Sequence, residues 1–328
     1  MSADAETITN APPPFDDPDA DIVVRTLENE MFDVPQPVAT NAETQQENVT
    51  QDGIPIIFLY DNQNQVCGKD VVDFLLSCCH PARLLSSKPV VPAGLLVSII
   101  DAATRYRIDW AVNTALVDPH FLNTSPLLVF AHACHQGREA EAALAAKETL
   151  RFRLDQVPSD PALKLISGYQ YHTLLAFHRR CAIAVETIAL AENLTTWITA
   201  PTLSWFPASH HPCSSHGNLL VNSWNAKLGL PTWNFYYNNQ ILGHSTQQWW
   251  IKYMESTAAA LVSRPHSSTV RDRARMDDSY VQASSCPDCL RRMGSFMGKF
   301  VPLFEQKIEE VIHQVSAFLI CFANLGDK

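Results

Sequence analysis

The sequence has few glycines, no basic N-terminal region and no apolar run long enough to cross a membrane. It has 11 glycines in 328 residues, and neither a P-loop nor the patterns GxGxxG and GxSxG occur, which excludes the common phosphate cradles and the nucleophile elbow. The longest apolar run, residues 318–325, is too short for a bilayer. Without a signal peptide, we expect an intracellular soluble chain, in the cytoplasm or nucleus, with no membrane partner.

Basic residues are scarce at one end of the chain. Residues 1–62 contain 13 Asp or Glu and a single basic residue, Arg25, whereas the remaining 266 residues carry 21 acidic and 23 basic residues. Nucleic-acid binding normally needs a basic stripe, because phosphate neutralisation supplies most of the affinity. The densest basic stretch, residues 264–275, is interrupted by Asp272 and predicts a solvated loop. No nucleic-acid partner is expected.

The composition is that of a folded protein in a reducing compartment. The apolar fraction of 46% is ordinary for a globular chain, and the length allows about two domains of roughly 150 residues. Nine cysteines, an odd number, without a secretory signal indicate reduced thiols rather than disulfides.

Apolar periodicity predicts strands first and helices afterwards. Strands are expected at residues 21–25 and 53–60, the second at a sheet edge because of Pro55, with a loop over residues 33–52 between them. Helices are expected over residues 70–76, 92–110, 126–133, 138–152 and 161–194, with a weak point at Gly168. Residues 302–323 form an amphipathic helix that either covers the C-terminal core or pairs with a partner helix as a coiled coil.

Residues 193–251 have an unusual composition. They hold six of the seven tryptophans and one charged residue, Lys227. Prolines, asparagines and serines interrupt every periodicity, so we expect an irregular segment held by aromatic side chains. These aromatics either pack against the helices or form a ligand or partner surface.

Several short segments, in a fixed order, resemble BTB/POZ-domain proteins of mushroom-forming (basidiomycete) fungi. The resemblance covers about residues 15–152, and the sequence after it is similar to the tail of those fungal proteins at residues 174–178, 249–253 and 286–289. The segments that carry the main resemblance are FDDPDADIVVR (15–25), MFDVPQP (31–37), DGIPII (52–57), VDFLL (72–76), AATRYRID (102–109) and PLLVFA (126–131).

The resemblance implies an α+β fold in three parts. Residues 1–14 are then a disordered acidic N-terminus, residues 15–155 a BTB/POZ-like domain with a small sheet and helical hairpins, and residues 156–328 a helical, loop-rich region containing Trp, Cys and His. In the family a second strand and a helix follow the first strand and build the homodimer, but only residues 26–30 separate Arg25 from Met31 here. The segment is therefore shortened, and this predicts a sheet with an exposed edge. The residues that form the homodimer interface in the family have no counterpart here.

The best chemical motif is the pair Cys286 and Cys289, which has the spacing of half a zinc site. Cys213 and His216 supply a second half, with His211 as a substitute, so that Cys213, His216, Cys286 and Cys289 would form a structural zinc site. The alternatives are ordinary thiols or a redox pair. The redox alternative is weakened because no βαβ pattern surrounds the two cysteines.

Two functions of different classes follow from the sequence. The first is a non-enzymatic protein–protein interaction module that self-associates or acts as an adaptor or scaffold; the family resemblance extends this to ubiquitin-ligase or regulatory roles, with partners unidentified. The alternative is a zinc-dependent enzyme in the C-terminal region, which would need an open coordination position and a general base. No cofactor other than this zinc is expected.

Overall fold

The computed structural model is mainly helical with a small sheet, so the expected α+β class is confirmed. The chain divides into two compact units, Met1–Val129 and Phe130–Lys328. The boundary expected between residues 155 and 156 falls inside the second unit, so the division by packing differs from the division implied by the family resemblance. The structure describes residues 9–10, 22–28, 30–34, 48–49, 55–61, 64–79, 92–156, 161–198, 235–237, 240–242 and 247–316.

The first unit contains a sheet with the strand order β1-β3-β2-β5-β4. Strands β2 and β3 are antiparallel, with Val24 opposite Phe32, and β2 and β5 are parallel, with Val24 opposite Ile57. All three of these side chains are buried, so the centre of the sheet is also the apolar centre of the unit. The strands are Thr9–Asn10 (β1), Ile22–Arg25 (β2), Glu30–Val34 (β3), Asn48–Val49 (β4) and Pro55–Phe58 (β5).

The shortened segment does not leave a gap beside β2, which has a neighbouring strand on each side. Strand β3 pairs directly with β2 through a tight hairpin, in which the Thr26 N–H donates to the Glu30 carbonyl at 3.0 Å and the Glu30 N–H donates to Thr26 Oγ1 at 3.2 Å. The hydroxyl of the buried Thr26 thus satisfies a buried backbone donor. The neighbouring strand consists of residues 30–32, for which the sequence predicts no element, and the first two residues of the expected loop.

Three further sheet expectations are corrected. Thr9 and Asn10, within the segment expected to be disordered, pair in parallel with Glu30 and Met31; the rest of residues 1–14 lies outside the described residues. The expected loop 33–52 contains the end of β3 and strand β4. Because β4 pairs with β5, Pro55 lies at the first position of an inner strand rather than in an edge strand.

The hairpin also fixes the start of the first helix. The Glu28 carboxylate accepts the Lys69 N–H at 2.7 Å, and Lys69 Nζ donates to the buried Glu30 carboxylate at 2.8 Å. A negative charge at a helix N-terminus satisfies free N–H groups and opposes the helix dipole favourably. Residues 26–30 therefore tie the sheet to the first helix.

Helices make up the rest of the first unit. The helix expected over residues 92–110 is interrupted, because Arg107 has a positive φ of 55° and the Ile108 N–H bonds back to the Ala103 carbonyl. The helix that begins at Pro119 is capped by the Asp118 side chain, which accepts the His120 N–H at 2.8 Å. The helices are Lys69–Cys79 (α1), Leu96–Arg105 (α2), Asp109–Leu116 (α3), Pro119–Thr124 (α4) and Pro126–His135 (α5), which crosses the division.

The second unit contains five further helices among its described residues: Glu139–Thr149 (α6), Gly168–Ala189 (α7), Gln248–Ser263 (α8), Arg273–Ala283 (α9) and Pro287–Ser316 (α10). Gly168 is the first residue of α7 rather than a weak point, because Ser167 and Gln170 form a reciprocal capping box before it. The amphipathic helix expected from residue 302 begins earlier, at Pro287.

Aromatic side chains form the core of the second unit. Phe300 of α10 is fully buried, 5.5 Å between ring centroids from Trp250 and 5.5 Å from Phe296, and Trp197 stacks on Phe304 at 5.4 Å. Trp249 and Trp250 belong to α8, so the irregular segment expected over residues 193–251 ends before them. Trp197, Trp249 and Trp250 thus have the first of the two expected roles, packing against the helices. The segment 199–234 lies outside the described residues.

Candidate functional site

The predicted zinc ligands are described only in part. Cys286 precedes α10, and its carbonyl accepts the Leu290 N–H at 3.0 Å. Cys289 is buried in the first turn of α10, with its Sγ 3.5 Å from Gln247 Oε1. Cys213, His216 and the substitute His211 lie outside the described residues.

The described residues do not by themselves make a metal site. Within the ranges that the structure describes, no group of three or more His, Cys, Asp or Glu side chains is arranged to hold a metal ion. Cys286 and Cys289 therefore need ligands from other parts of the chain, and the four-residue zinc site stays a prediction. Atomic spectroscopy of protein purified without chelator tests it, and metal-free folded protein would contradict it.

The stretch 264–275, expected to be a solvated loop, is a structured polar cluster. It comprises a 3-10 turn, Ser267–Arg271, followed by the start of α9. Asp272 accepts from Arg264 at 2.8 Å and lies 3.0 Å from Arg275 Nη2, and its other oxygen accepts the Ala274 N–H. The Arg264 hydrogen bond lowers the pKa of Asp272 from its usual value, with Arg275 contributing. The basic residues are thus neutralised within the fold.

This turn is attached to α10 and α8 by further polar contacts. Arg271 pairs with Glu305 and the Ser267 hydroxyl donates to Glu309, both in α10. Tyr253 of α8, fully buried, donates its hydroxyl to the Val270 carbonyl at 2.8 Å. These contacts fix the turn against two helices, so we name residues 264–275 the polar clamp.

His266 lies at the start of the polar clamp and is buried. Its Nδ1 accepts the Ser268 N–H at 3.0 Å and is 2.9 Å from the Ser268 hydroxyl. Burial, with a smaller contribution from nearby Arg151 and opposed by Glu309, lowers the pKa of His266 from 6.5 to about 4. The ring is therefore neutral at physiological pH and acts as the cap of the 3-10 turn.

A serine hydroxyl beside a histidine nitrogen raises the question of nucleophilic catalysis. Here the same Nδ1 already accepts the backbone N–H of Ser268, so it has no lone pair left for the hydroxyl proton. A general base near neutral pH also needs a pKa close to 7, and that of His266 is about 4. The pair is a turn cap and not a catalytic dyad.

The second unit also has a cavity of about 170 Å³ between α5, α6 and α7. Its floor includes Phe130, Ala142 and Ala146, and Cys134 contributes the thiol. Burial raises the pKa of Cys134 to about 11, so this thiol is protonated at neutral pH and is a poor nucleophile. The cavity is a mainly apolar recess without a catalytic pair.

Exposed apolar side chains are the remaining candidates for function. In the first unit, Trp110 of α3 is 56% exposed and Val117, seven residues later, is 44% exposed. This spacing places both on one side of the helix, about 10 Å apart along its axis. Exposed tryptophan side chains are the type most enriched at protein–protein hot spots.

Sequence reasoning named neither His266 nor Trp110. The burial of His266 and the charges that act on its pKa, those of Arg151 and Glu309, depend on distant positions, so no local pattern marks it. The local signal for the exposure of Trp110 is limited to its place beside Asp109 in the first turn of α3, with Val112 on the other side of the helix.

No helix in the described ranges is both long and apolar enough to span a bilayer. Comparison with known proteins finds no matching family model, no similar curated protein and no similar solved structure.

Proposed function

We propose that this chain is a non-enzymatic protein–protein interaction module of BTB/POZ-like type, which self-associates or acts as an adaptor. The observation that carries the proposal is the exposed pair formed by Trp110 of α3 and Val117, the residue that follows this helix. A tryptophan with more than half of its surface in water gains free energy when a partner covers it, at roughly 25 cal/mol per Å² of apolar area.

Two other findings support this role over an enzymatic one. The groups in the described residues that resemble catalytic machinery, His266 with Ser268 and Cys134 in its cavity, have pKa values far from those that catalysis at neutral pH needs. The sheet followed by packed helices agrees with the architecture that the resemblance to fungal BTB/POZ proteins implies. A cullin-scaffold role follows from that resemblance alone, and no residue here is matched to such a contact.

The test compares partner recovery by the full chain and by variants. Tagged protein is cross-linked in cell extract, and bound proteins are quantified by mass spectrometry for wild type, Trp110→Ala and a matched control, Ile183→Ala, which removes an exposed side chain of α7. We expect to find bound proteins that are recovered equally by wild type and by the control. Their recovery by Trp110→Ala should be at least about tenfold lower. Identical recovery by all three would reject α3 as the interaction surface.

A further inference from the structure

The cavity between α5, α6 and α7, which we name the recess, is lined by both apolar and charged side chains. Its volume is about 170 Å³, and all of its lining residues belong to the second unit. Phe130 of α5 and Ala142 and Ala146 of α6 supply apolar surface, and Arg138 and Glu139 line it where α6 begins. A cavity of this composition suits a small ligand with one apolar and one charged end.

Helix α6 separates the charged end of the recess from its apolar end. Residues three, four and seven apart lie on the same side of a helix, so Glu139, Ala142 and Ala146 share the side of α6 that lines the recess. At 1.5 Å per residue, Ala142 and Ala146 lie about 5 and 10 Å beyond Glu139 along the helix axis. The charged groups are therefore at one end of the recess and the apolar floor extends away from them.

The backbone that carries the positive charge is fixed by the fold itself. Gly137 follows α5 with a positive φ of 66°, which glycine adopts without strain at the end of a helix. The Arg138 N–H donates to the Ala133 carbonyl at 2.8 Å, and the Arg138 carbonyl accepts the Ala142 N–H at 3.0 Å. Arg138 is thus held by both of its backbone groups, which lowers the ordering cost of binding a ligand there.

The recess presents one positive and one negative side chain. Arg138 Nε donates to Gln136 Oε1 at 3.2 Å, and because Gln136 is neutral this contact does not neutralise the guanidinium. The exposed Glu139 carboxylate makes no hydrogen bond or ion pair with the residues that the structure describes. A ligand that carries charges of both signs therefore finds a partner for each of them.

We propose that the recess binds a free α-amino acid whose apolar side chain is about the size of a phenyl ring. The ligand carboxylate pairs with Arg138, its ammonium pairs with Glu139, and its side chain lies against Phe130 and the two alanines. The recess is close in volume to an engineered cavity of roughly 150 Å³ that holds benzene, so a phenyl ring fills it. This site lies outside α3 and does not depend on the interaction role proposed above.

The two charges select this ligand class over simpler amphipathic molecules. A carboxylic acid without an amine is repelled by Glu139, and an amine without a carboxylate is repelled by Arg138. The recess is open on one side, since Ala142 is half-exposed. We therefore expect modest affinity, with a dissociation constant of about 0.1–1 mM for a ligand of about a dozen non-hydrogen atoms.

Calorimetric titration of the full chain with L-phenylalanine measures this dissociation constant. Two analogues should each bind at least about tenfold more weakly, since each lacks one charged contact: 3-phenylpropanoate has no ammonium and phenylalanine amide has no carboxylate. Glycine, which has no side chain, should not bind. Absence of phenylalanine binding up to about 10 mM, or equal affinity for phenylalanine and either analogue, would overturn the proposal.

A thiol inside the recess reports where the ligand binds. Cys134 lines the recess, so saturating phenylalanine should slow its alkylation by iodoacetamide at least about threefold by blocking access to the sulfur. Cys286, a half-exposed cysteine of the same unit, should react at an unchanged rate. Mass spectrometry of the digested chain measures both rates, and an unchanged rate at Cys134 would exclude the recess as the binding site.

Matched variants separate the apolar contact from the charged one. Ala142→Leu fills the recess and should raise the dissociation constant of phenylalanine at least about tenfold, whereas Ala140→Leu, exposed on the same helix and outside the recess, should not change it. Glu139→Gln should weaken phenylalanine at least about fivefold without weakening 3-phenylpropanoate, and Glu141→Gln in the same turn should affect neither. Equal effects within either pair would overturn the assignment, provided that thermal midpoints show all four variants folded. Partner recovery through Trp110 is judged by its own experiment.

Discussion

Each of the two units is stabilised internally by a different kind of interaction. In the first unit, aliphatic side chains such as Val24 and Ile57 pack across a small sheet, and a five-residue hairpin ties the sheet to α1. In the second unit, stacked rings around Phe300 fill the core and the polar clamp fixes a turn onto α10. The comparison indicates that the first unit depends on backbone pairing between strands and on aliphatic packing, and the second on aromatic packing and ion pairs between helices.

The largest expected effect comes from the ring at the centre of the second unit. Phe300→Ala removes a fully buried ring that contacts Trp250, Phe296 and Phe304, and should lower the free energy of unfolding of that unit by about 4–5 kcal/mol, at the upper end of such losses. Phe121→Ala, the matched change in the first unit, should cost about 3 kcal/mol, because Phe121 contacts fewer rings, Phe74 and His120.

Hydrogen exchange read by mass spectrometry under rising denaturant separates the two units in this experiment. Exchange should accelerate chiefly in residues 248–316 for Phe300→Ala and in residues 69–124 for Phe121→Ala. Equal losses in both units from either variant would show that they unfold together, and the contrast between them would not hold.

The second prediction concerns pH and the polar clamp. The pKa of His266 is about 4 in the folded chain against 6.5 as its ordinary value, so between pH 6.5 and 4 the unfolded state binds a proton that the folded state does not. Stability is therefore complete above pH 6.5 and falls as the pH drops through this window, by about 3 kcal/mol in total.

A substitution isolates this contribution from other titrating groups. His266→Asn keeps a side-chain acceptor suited to capping but does not titrate, so its free energy of unfolding should depend less steeply on pH between 6.5 and 4. Urea titrations at half-unit steps of pH measure the two slopes. Parallel slopes for wild type and variant would mean that His266 is not the group responsible.

Particular elements show what the sequence could predict. The strands at residues 22–25 and 55–58 and the helix at 69–79 follow from alternation and helical spacing, because their buried side chains come from the same short segment. The pairing of β3 with β2 could not be predicted in this way, because Pro, Gln and Asn after residue 34 gave residues 33–52 a loop-like composition. That Trp249 and Trp250 lie in a helix was not predicted for the same reason, because the polar residues before them gave no sign of the start of α8.

The candidate sites were less predictable than the fold. The lowered pKa of His266 comes first from burial and then from Arg151, opposed by Glu309. These two residues lie more than a hundred positions before it and about forty after it, and one sequence does not show which distant positions meet. The cysteine pair at 286 and 289 was found because its signal is local.

A third prediction tests whether the polar clamp depends on charge or only on capping. Asp272→Ala removes both the cap of α9 and the partner of Arg264 and Arg275, and should cost the second unit about 2 kcal/mol. Asp272→Asn keeps the cap and should cost about 1 kcal/mol. Chemical denaturation followed by tryptophan fluorescence measures both, and equal costs would assign the whole effect to the charge of Asp272 and none to the cap.

The smallest effect probes the hairpin of the first unit. Glu28→Ala removes the carboxylate that accepts the Lys69 N–H and should cost about 1 kcal/mol, as loss of an N-cap does. Gly68→Ala should cost a similar amount for an indirect reason: its Cβ would lie 2.9 Å from Glu28 Oε1, so the carboxylate must move away and the same hydrogen bond is lost.

The double variant distinguishes this mechanism from two independent losses. Once Glu28 is alanine, nothing remains within 3 Å of the new Cβ at position 68, and Gly68→Ala should then be nearly neutral. The two changes together should therefore cost about 1 kcal/mol rather than about 2, a coupling that a double-mutant cycle in urea resolves. Additive costs would instead place the strain of Gly68→Ala in the backbone before α1. In that case the carboxylate of Glu28 would not be what couples the hairpin to the helix, and the first unit would lose the contact by which residues 26–30 are proposed to tie the sheet to α1.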